Sequence, residues 1–280
     1  MRSLVPILGL ALVTGMWAVY GCAPGSAGAD GTTPQTGANP PPQAATTEPS
    51  PDIAVVSHPN VSVGARLLRS GQFLDAEIVL STVLRESPNC ARAQFLLGVA
   101  VMKQKRYAQA RPLLEASLAS KQPFPDAVQV DHFLGWTCYY LGDLDAAKGA
   151  FQSHVRNVPT AADSYFGLGV IAIDEDRIAD ARSALERSIE LLPPAPQGNR
   201  DHSKALARLG DCAMARDETE AALADYEEAA NLWPDHYEIW GKLARVYEIA
   251  NRPEDAARSR SEQGAAMKRV GRSPETESAP

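Results

Sequence analysis

The chain has 280 residues, 45% of them hydrophobic and 22% charged, and a net charge of −7 at neutral pH. That is enough apolar material to bury a sizeable core in one or two domains. The mildly acidic balance lacks the basic stripe that a nucleic-acid partner demands, and it disfavours adhesion of the folded part to an anionic membrane.

Residues 1–21 read as an address. Arg2 supplies a short positive start, residues 4–20 are apolar but broken by Pro6, Gly9 and Gly15, and small Gly21 precedes Cys22. A charged start, an apolar run and small residues at a cut define a secretory signal. A cysteine directly after the cut resembles a bacterial lipoprotein signal. Val19 and Gly21 match that family's lipobox, and Tyr20 departs from it. The resemblance implies that Cys22 carries lipid and becomes the mature N-terminus. Ala23, where an aspartate would retain the protein in the inner membrane, implies an outer-membrane anchor facing the periplasm. An uncleaved membrane helix and an ordinary signal peptide are the alternatives, although the apolar run is short for a span. The segment 22–56 follows as a tether. Residues 23–56 are rich in Pro, Gly, Thr, Ala and Ser and contain no Lys or Arg. Such a composition cannot bury enough apolar surface to offset its ordering entropy.

From residue 57 the sequence repeats itself every 34 residues. Leu168-Gly169 is followed by Ala181, Leu185 and Pro193. The same offsets recur at Leu97-Gly98, Ala110, Leu114, at Leu134-Gly135, Ala147, Phe151, Pro159, and at Leu209-Gly210, Ala222, Tyr226, Pro234. Leu243-Ala244, Tyr247 and Ala256 follow in a later copy, and Gly64, Leu67, Ala76, Leu80 and Pro88 in a weaker first one. A fixed period of this length marks helix–turn–helix units that bury their apolar faces on one another. On these residues the chain resembles the tetratricopeptide-repeat family. The resemblance implies an all-α fold, a right-handed α-solenoid of about six repeats, over residues 57–270. The copies are 57–90, 91–124, 128–161, 162–195, 203–236 and 237–270.

In the clearest copy, helix A reads over about 162–175 and helix B over 178–191, with Gly169 and Ala181 facing each other at the crossing. Pro193 and Pro194 stop helix B, because proline cannot continue it. Residues 125–127 and 196–202 read as loop insertions. In copy one Asn60 occupies a slot that is usually bulky and apolar. Pro59 suits a first helical turn, so that helix A starts late. Helix B of copy six is polar (Arg258, Arg260, Glu262, Gln263), as a terminal cap requires. Residues 271–280 read as a disordered tail.

No catalytic, metal-binding or cofactor constellation emerges. Gly167-Leu-Gly169-Val-Ile-Ala172 matches a relaxed dinucleotide fingerprint, but no strand precedes it. The five histidines lack zinc-ligand spacing. His154 sits at a slot that is small in other copies and reads as a packing variant. Apart from Cys22 three cysteines remain, an odd number, of which Cys138 and Cys212 read as buried residues inside A helices.

The family resemblance implies a concave surface lined by positions 2, 5, 9, 12 and 13 of each copy. Copies two to four place Phe95, Val99, Met102, His132, Trp136, Tyr139, Tyr140, Phe166, Val170 and Ile173 there. Copies five and six place polar and small residues there, including Lys204, Asp211, Glu238 and Arg245. An apolar patch with polar ends marks a binding site for a protein or peptide with apolar anchors. The other reading is that these side chains pack on neighbouring A helices. The resulting expectation is a non-enzymatic scaffold without cofactors, touching the membrane through its N-terminal lipid only and binding no nucleic acid. The alternative is a homo-oligomeric structural or assembly factor, similar in layout to lipoproteins that serve pilus secretins or outer-membrane biogenesis.

Overall fold

The computed structural model describes residues 58–120, 122–193 and 199–272. The signal, Cys22, the tether and the tail beyond residue 272 lie outside the described residues.

Twelve α-helices alternate as A and B through six copies among the described residues. Copy one holds α1 (Pro59–Arg69) and α2 (Phe73–Glu86), and copy two α3 (Ala91–Lys103) and α4 (Tyr107–Ala119). Copy three holds α5 (Val130–Tyr140) and α6 (Leu144–Asn157), and copy four α7 (Ala162–Asp174) and α8 (Ile178–Leu191). Copies five and six hold α9 (Arg200–Met214), α10 (Thr219–Leu232), α11 (Tyr237–Ile249) and α12 (Pro253–Arg269). The reading of 196–202 as a loop is corrected at its end, where Arg200, Asp201 and His202 form the first turn of α9. The side chain of Asn199 accepts from the backbone N–H of Asp201 and His202, and this cap allows the helix to start early.

Within each copy the two helices cross on a small residue. A methyl carbon added at Gly169 would lie 2.6 Å from Leu185, and one at Gly135 would lie 2.7 Å from Phe151. Glycine is required there because the opposing side chain fills the space. Ala76, Ala110, Ala147, Ala181, Ala222 and Ala256 occupy the matching slot on the B helices and are buried in every copy. Leu80, Leu114, Phe151, Leu185 and Tyr226 are buried one turn later, and each contributes roughly 1.5–3 kcal/mol of burial. In copy six that position is Arg260, paired with Glu248 at the surface, which closes the stack with a polar side chain.

Two further devices recur. The fifteenth residue of every copy adopts a left-handed backbone: Gly71 (φ 75°), Lys105 (63°), Gly142 (79°), Asp176 (58°), Asp217 (59°) and Asn251 (56°). Glycine, asparagine and aspartate accept this conformation readily, and Lys105 is the costly exception. Each B helix from copy one to copy four also clasps the A–B turn of the next copy by an ion pair. Glu77 meets Arg106, Arg111 meets Asp143 (2.9 Å), Lys148 meets Glu175 (3.3 Å) and Arg182 meets Glu218 (2.5 Å).

Successive A helices touch: α1 with α3, α3 with α5, α5 with α7 and α7 with α9. The A helices from α1 to α9 therefore form one continuous face. Beneath it the core divides into a large cluster from copies one to three that reaches Ile171 of copy four, a second in copies five and six, and a small one around Ala172, Ala181, Leu185 and Cys212. Among the described residues no helix is long and apolar enough to cross a membrane.

Candidate partner-binding face

The contact between successive A helices decides what their inner residues do. Phe95, Val99, Met102, His132, Trp136 and Val170 are buried, and Tyr139, Tyr140, Phe166 and Ile173 are half-buried. The expectation of an open apolar patch made of all ten is therefore corrected. Neighbouring A helices stand close enough for their large side chains to meet each other before they meet solvent.

Trp136 is the hub. Its ring centroid lies 5.2 Å from Phe151, 5.7 Å from Tyr139 and 6.1 Å from both Tyr140 and Phe166. Its indole N–H is buried with no acceptor among the described residues. Phe95 packs against Phe124 and Phe133 at 5.9 and 5.6 Å. Tyr140 stacks on Tyr107 at 4.6 Å. Rings at these separations gain geometry-dependent attraction beyond their burial. Burial also raises the Tyr139 and Tyr140 hydroxyls above the usual tyrosine range, and Asp174 adds to the effect at Tyr139.

Charge surrounds this aromatic floor. Burial lowers the Lys103 ammonium, against the attraction of Asp163 and with the repulsion of Lys204. Asp163 reaches solvent, but the surrounding helices crowd out enough water to raise its carboxyl. Asp201 adds to that rise, while Lys204 and Lys103 oppose it. Copies two, four and five thus bring charges within electrostatic reach of one another. Beyond them Lys204 pairs with Asp201 (3.3 Å), and Arg208 with Asp211 (3.0 Å). Asp211 also takes Lys242 (2.5 Å) and the Tyr226 hydroxyl (2.6 Å). Burial works against ionisation of Asp211. Lys242, the Tyr226 hydrogen bond and Arg208 outweigh it, and the carboxyl is held low.

A buried polar cluster joins copies three and four. Ser164 Oγ lies 2.7 Å from His154 Nδ1 and 3.1 Å from His132 Nδ1. The Ser164 hydroxyl can donate to one ring and accept from the other, and burial favours the neutral form of both. Burial, with help from His154 and Lys103, pushes His132 down to about 3. Burial lowers His154 as well, against the pull of Asp131. The slot of His154 holds Ser117 in copy two and Ser188 in copy four. Those hydroxyls donate to the carbonyls of Ala91 and Ala162, both at 2.9 Å. His154 replaces that in-repeat bond with one to the next repeat. Among the described residues no three His, Cys, Asp or Glu side chains are grouped to hold a metal.

Reading the A-helix slots alone misses Tyr107, Asp201 and Arg208. Tyr107 begins a B helix, Asp201 lies in the helical turn read as loop, and Arg208 falls between the assigned slots. The clustering of charge in 200–211 is the only sequence signal that points to the last two.

The family profile of the tetratricopeptide repeat matches residues 64–127, 134–196 and 201–259. Among curated proteins, Protein O-mannosyl-transferase TMTC1 of Mus musculus is 27% identical over 124 residues, which are 44% of this chain and 13% of that protein. The chain thus spans a small part of that relative's length. Among solved structures, the APC/C hetero-tetramer Cut9-Hcn1 is similar with a TM-score of 0.63 and 18% identity, covering 74% of this chain and 39% of that one. Pseudomonas aeruginosa pilF is similar with a TM-score of 0.60 and 19% identity, covering 75% and 90%. YrrB, described as a TPR protein with an unusual peptide-binding site, has a TM-score of 0.53 and 18% identity, covering 67% and 92%. At these identities the structural likenesses establish the fold.

Proposed function

Since the chain belongs to the tetratricopeptide-repeat family, whose members mediate protein–protein interaction, we propose that it is a non-enzymatic scaffold holding a partner segment along the inner face of its A helices. The convergence of Lys103, Asp163 and Lys204 from three different copies carries this reading. A face on which charges so distant in sequence feel one another embraces a ligand instead of meeting it at one point. The half-buried Tyr139, Tyr140, Phe166 and Ile173 offer apolar edges to a partner's anchors, and the charges around them select and orient it. The likeness to YrrB, a TPR protein with an unusual peptide-binding site, supports a peptide-like ligand. The buried Trp136, Phe95 and His132 serve as the foundation of the face.

The same proposal places the scaffold on a membrane through lipid on Cys22, exported and facing the periplasm from the outer membrane. The charge–apolar–Gly21-Cys22 layout supports it. A Cys22→Ser variant is expected to leave the membrane fraction, and its retention there would remove the anchor from the proposal. For the face itself, a photocrosslinking side chain is placed at Ile173 or Tyr139, and at exposed Glu186 on a B helix as control. Partner adducts in native cells are expected from the first two positions only. Equal capture from Glu186, or none from the inner positions, would refute binding at the A helices.

A further inference from the structure

Positions 18 and 22 of each copy lie one turn apart on the outer side of the B helix and are exposed in all six copies. Five copies fill them with small or polar residues: Ala108 and Pro112, Asp145 and Gly149, Ala179 and Ser183, Glu220 and Ala224, Glu254 and Arg258. Copy one alone carries Leu74 and Ile78, each 67% exposed. Nothing in the packing of copy one requires them, because Ala76, Leu80 and Val83 already fill the inner side of α2. A shallow hollow of about 600 Å³ runs beside them toward Gln104 and Arg106.

The charges at the two ends of this stripe say what covers it. Asp75 lies in the first turn of α2 and Arg85 in the last. Neither has an oppositely charged partner among the described residues. Asp75 accepts from Gln72 at 3.3 Å, and Arg85 donates to the Thr82 hydroxyl at 2.8 Å. A helix with an unpaired acid at its start, an unpaired base at its end and an apolar step on the stripe is complementary to itself in one orientation only. Run antiparallel, each Arg85 reaches the first turn of the other α2, where Asp75 stands. In that register Ile78 of each chain lies near the middle against Ser81 and Thr82 of the other, and Leu74, one residue before Asp75, lies at each end against the aliphatic stem of the other chain's Arg85. Run parallel, like charges would face each other.

We propose that the outer face of α2 is a self-association surface on which a second copy of this chain packs its own α2 antiparallel, in a two-fold arrangement. This surface lies away from the A-helix face, and its test does not depend on that assignment. Two helices of this length cover less than the roughly 1,200–2,000 Å² of a standard interface, so the dimer is a weak one that forms on crowding.

The test is sedimentation of the full chain over a concentration series, with circular dichroism to confirm that each variant is folded. Wild type is expected to shift from monomer to dimer, and Leu74→Glu or Ile78→Glu to raise the dissociation constant at least tenfold. Asp75→Arg and Arg85→Asp are each expected to weaken the dimer, and the two together to restore it. A monomer at every concentration, or a dimer indifferent to Leu74→Glu, overturns the proposal. Failure of the double charge reversal to restore association overturns the antiparallel arrangement. Loss of binding to anionic phospholipid vesicles in Leu74→Glu, with a wild type that stays monomeric, would assign the stripe to a lipid surface instead.

Discussion

Copies two to four and copies five and six share one backbone plan and treat their inner faces in opposite ways. In the first region Phe95 packs on Phe133 and Trp136 on Phe166, and the A helices are tied together by aromatic packing. In the second, the matching slots hold the small residues Ala207 and Gly241, and the surface is organised by Asp201, Lys204, Arg208, Asp211 and Lys242. The large side chains of the first region turn inward and become stability. Of the charges of the second, Asp201 and Arg208 keep contact with solvent, and these are the groups proposed to select a partner. A repeat protein can thus separate holding its shape from reading its ligand by distributing them along the array.

Trp136→Ala puts the largest load on this comparison. It removes a buried ring that touches four others, and the expected cost is about 3–5 kcal/mol in urea unfolding. Lys204→Ala, which removes a partly buried lysine paired with the more exposed Asp201, is expected to cost about 0–1 kcal/mol. If both variants unfold at the same urea concentration, the division of labour fails. Acid gives a second and smaller effect. His132 and His154 are neutral and buried in the folded state and gain protons readily only when unfolded. Their stabilising contribution is complete above about pH 6.5 and is lost as the pH falls below it, by up to about 1.4 kcal/mol per pH unit for each ring. Asp131 opposes the loss at His154. Stability should therefore drop by about 1–3 kcal/mol between pH 7.5 and 5.5. His202 in α9 is lowered by burial too, against Asp201 and Glu228, and adds a lesser share. Hydrogen exchange at the lower pH is expected to quicken in α5–α7 more than in α10–α12. His154→Ser should start less stable but lose less on acidification, and a slope equal to wild type would exclude the imidazole as its cause.

The helix pairs are legible in the sequence because the crossing forces its residues. A glycine facing an alanine, followed by a leucine or aromatic at fixed offset, admits few other arrangements. The start of α9 was not legible, because the Asn199 cap is a local hydrogen bond inside a stretch that interrupts the 34-residue register. The burial of the aromatic face was not legible either. Position 9 of a copy is equally consistent with solvent and with the next A helix, and the spacing of helices from different copies is not written in any one of them. His154 was visible as an oddity at its slot. Its meaning came from Ser164, a residue of the following copy that no within-copy pattern connects to it.

Two smaller perturbations sharpen the contrast from the charged side. Asp211→Asn removes the charge that Lys242, Arg208 and the Tyr226 hydroxyl all address, and is expected to cost about 1–3 kcal/mol in thermal unfolding. The carboxyl is held low when folded, so its contribution is present above about pH 4 and is lost as the pH falls further. The smallest effect belongs to the clasp between copies four and five. Arg182 and Glu218 are both about one-third exposed at 2.5 Å, and a pair in that setting contributes little and is screened by salt. Arg182→Ala is expected to lower stability only slightly, and by less in 1 M salt. In a solenoid, however, a weakened junction lowers the cooperativity between its two sides more than it lowers the total. Because the core is already divided near copy four, the variant should broaden the unfolding transition and let α9–α12 exchange before α3–α6. A transition as sharp as wild type, with exchange rising equally on both sides, would mean that aromatic packing and not the clasp couples the two regions.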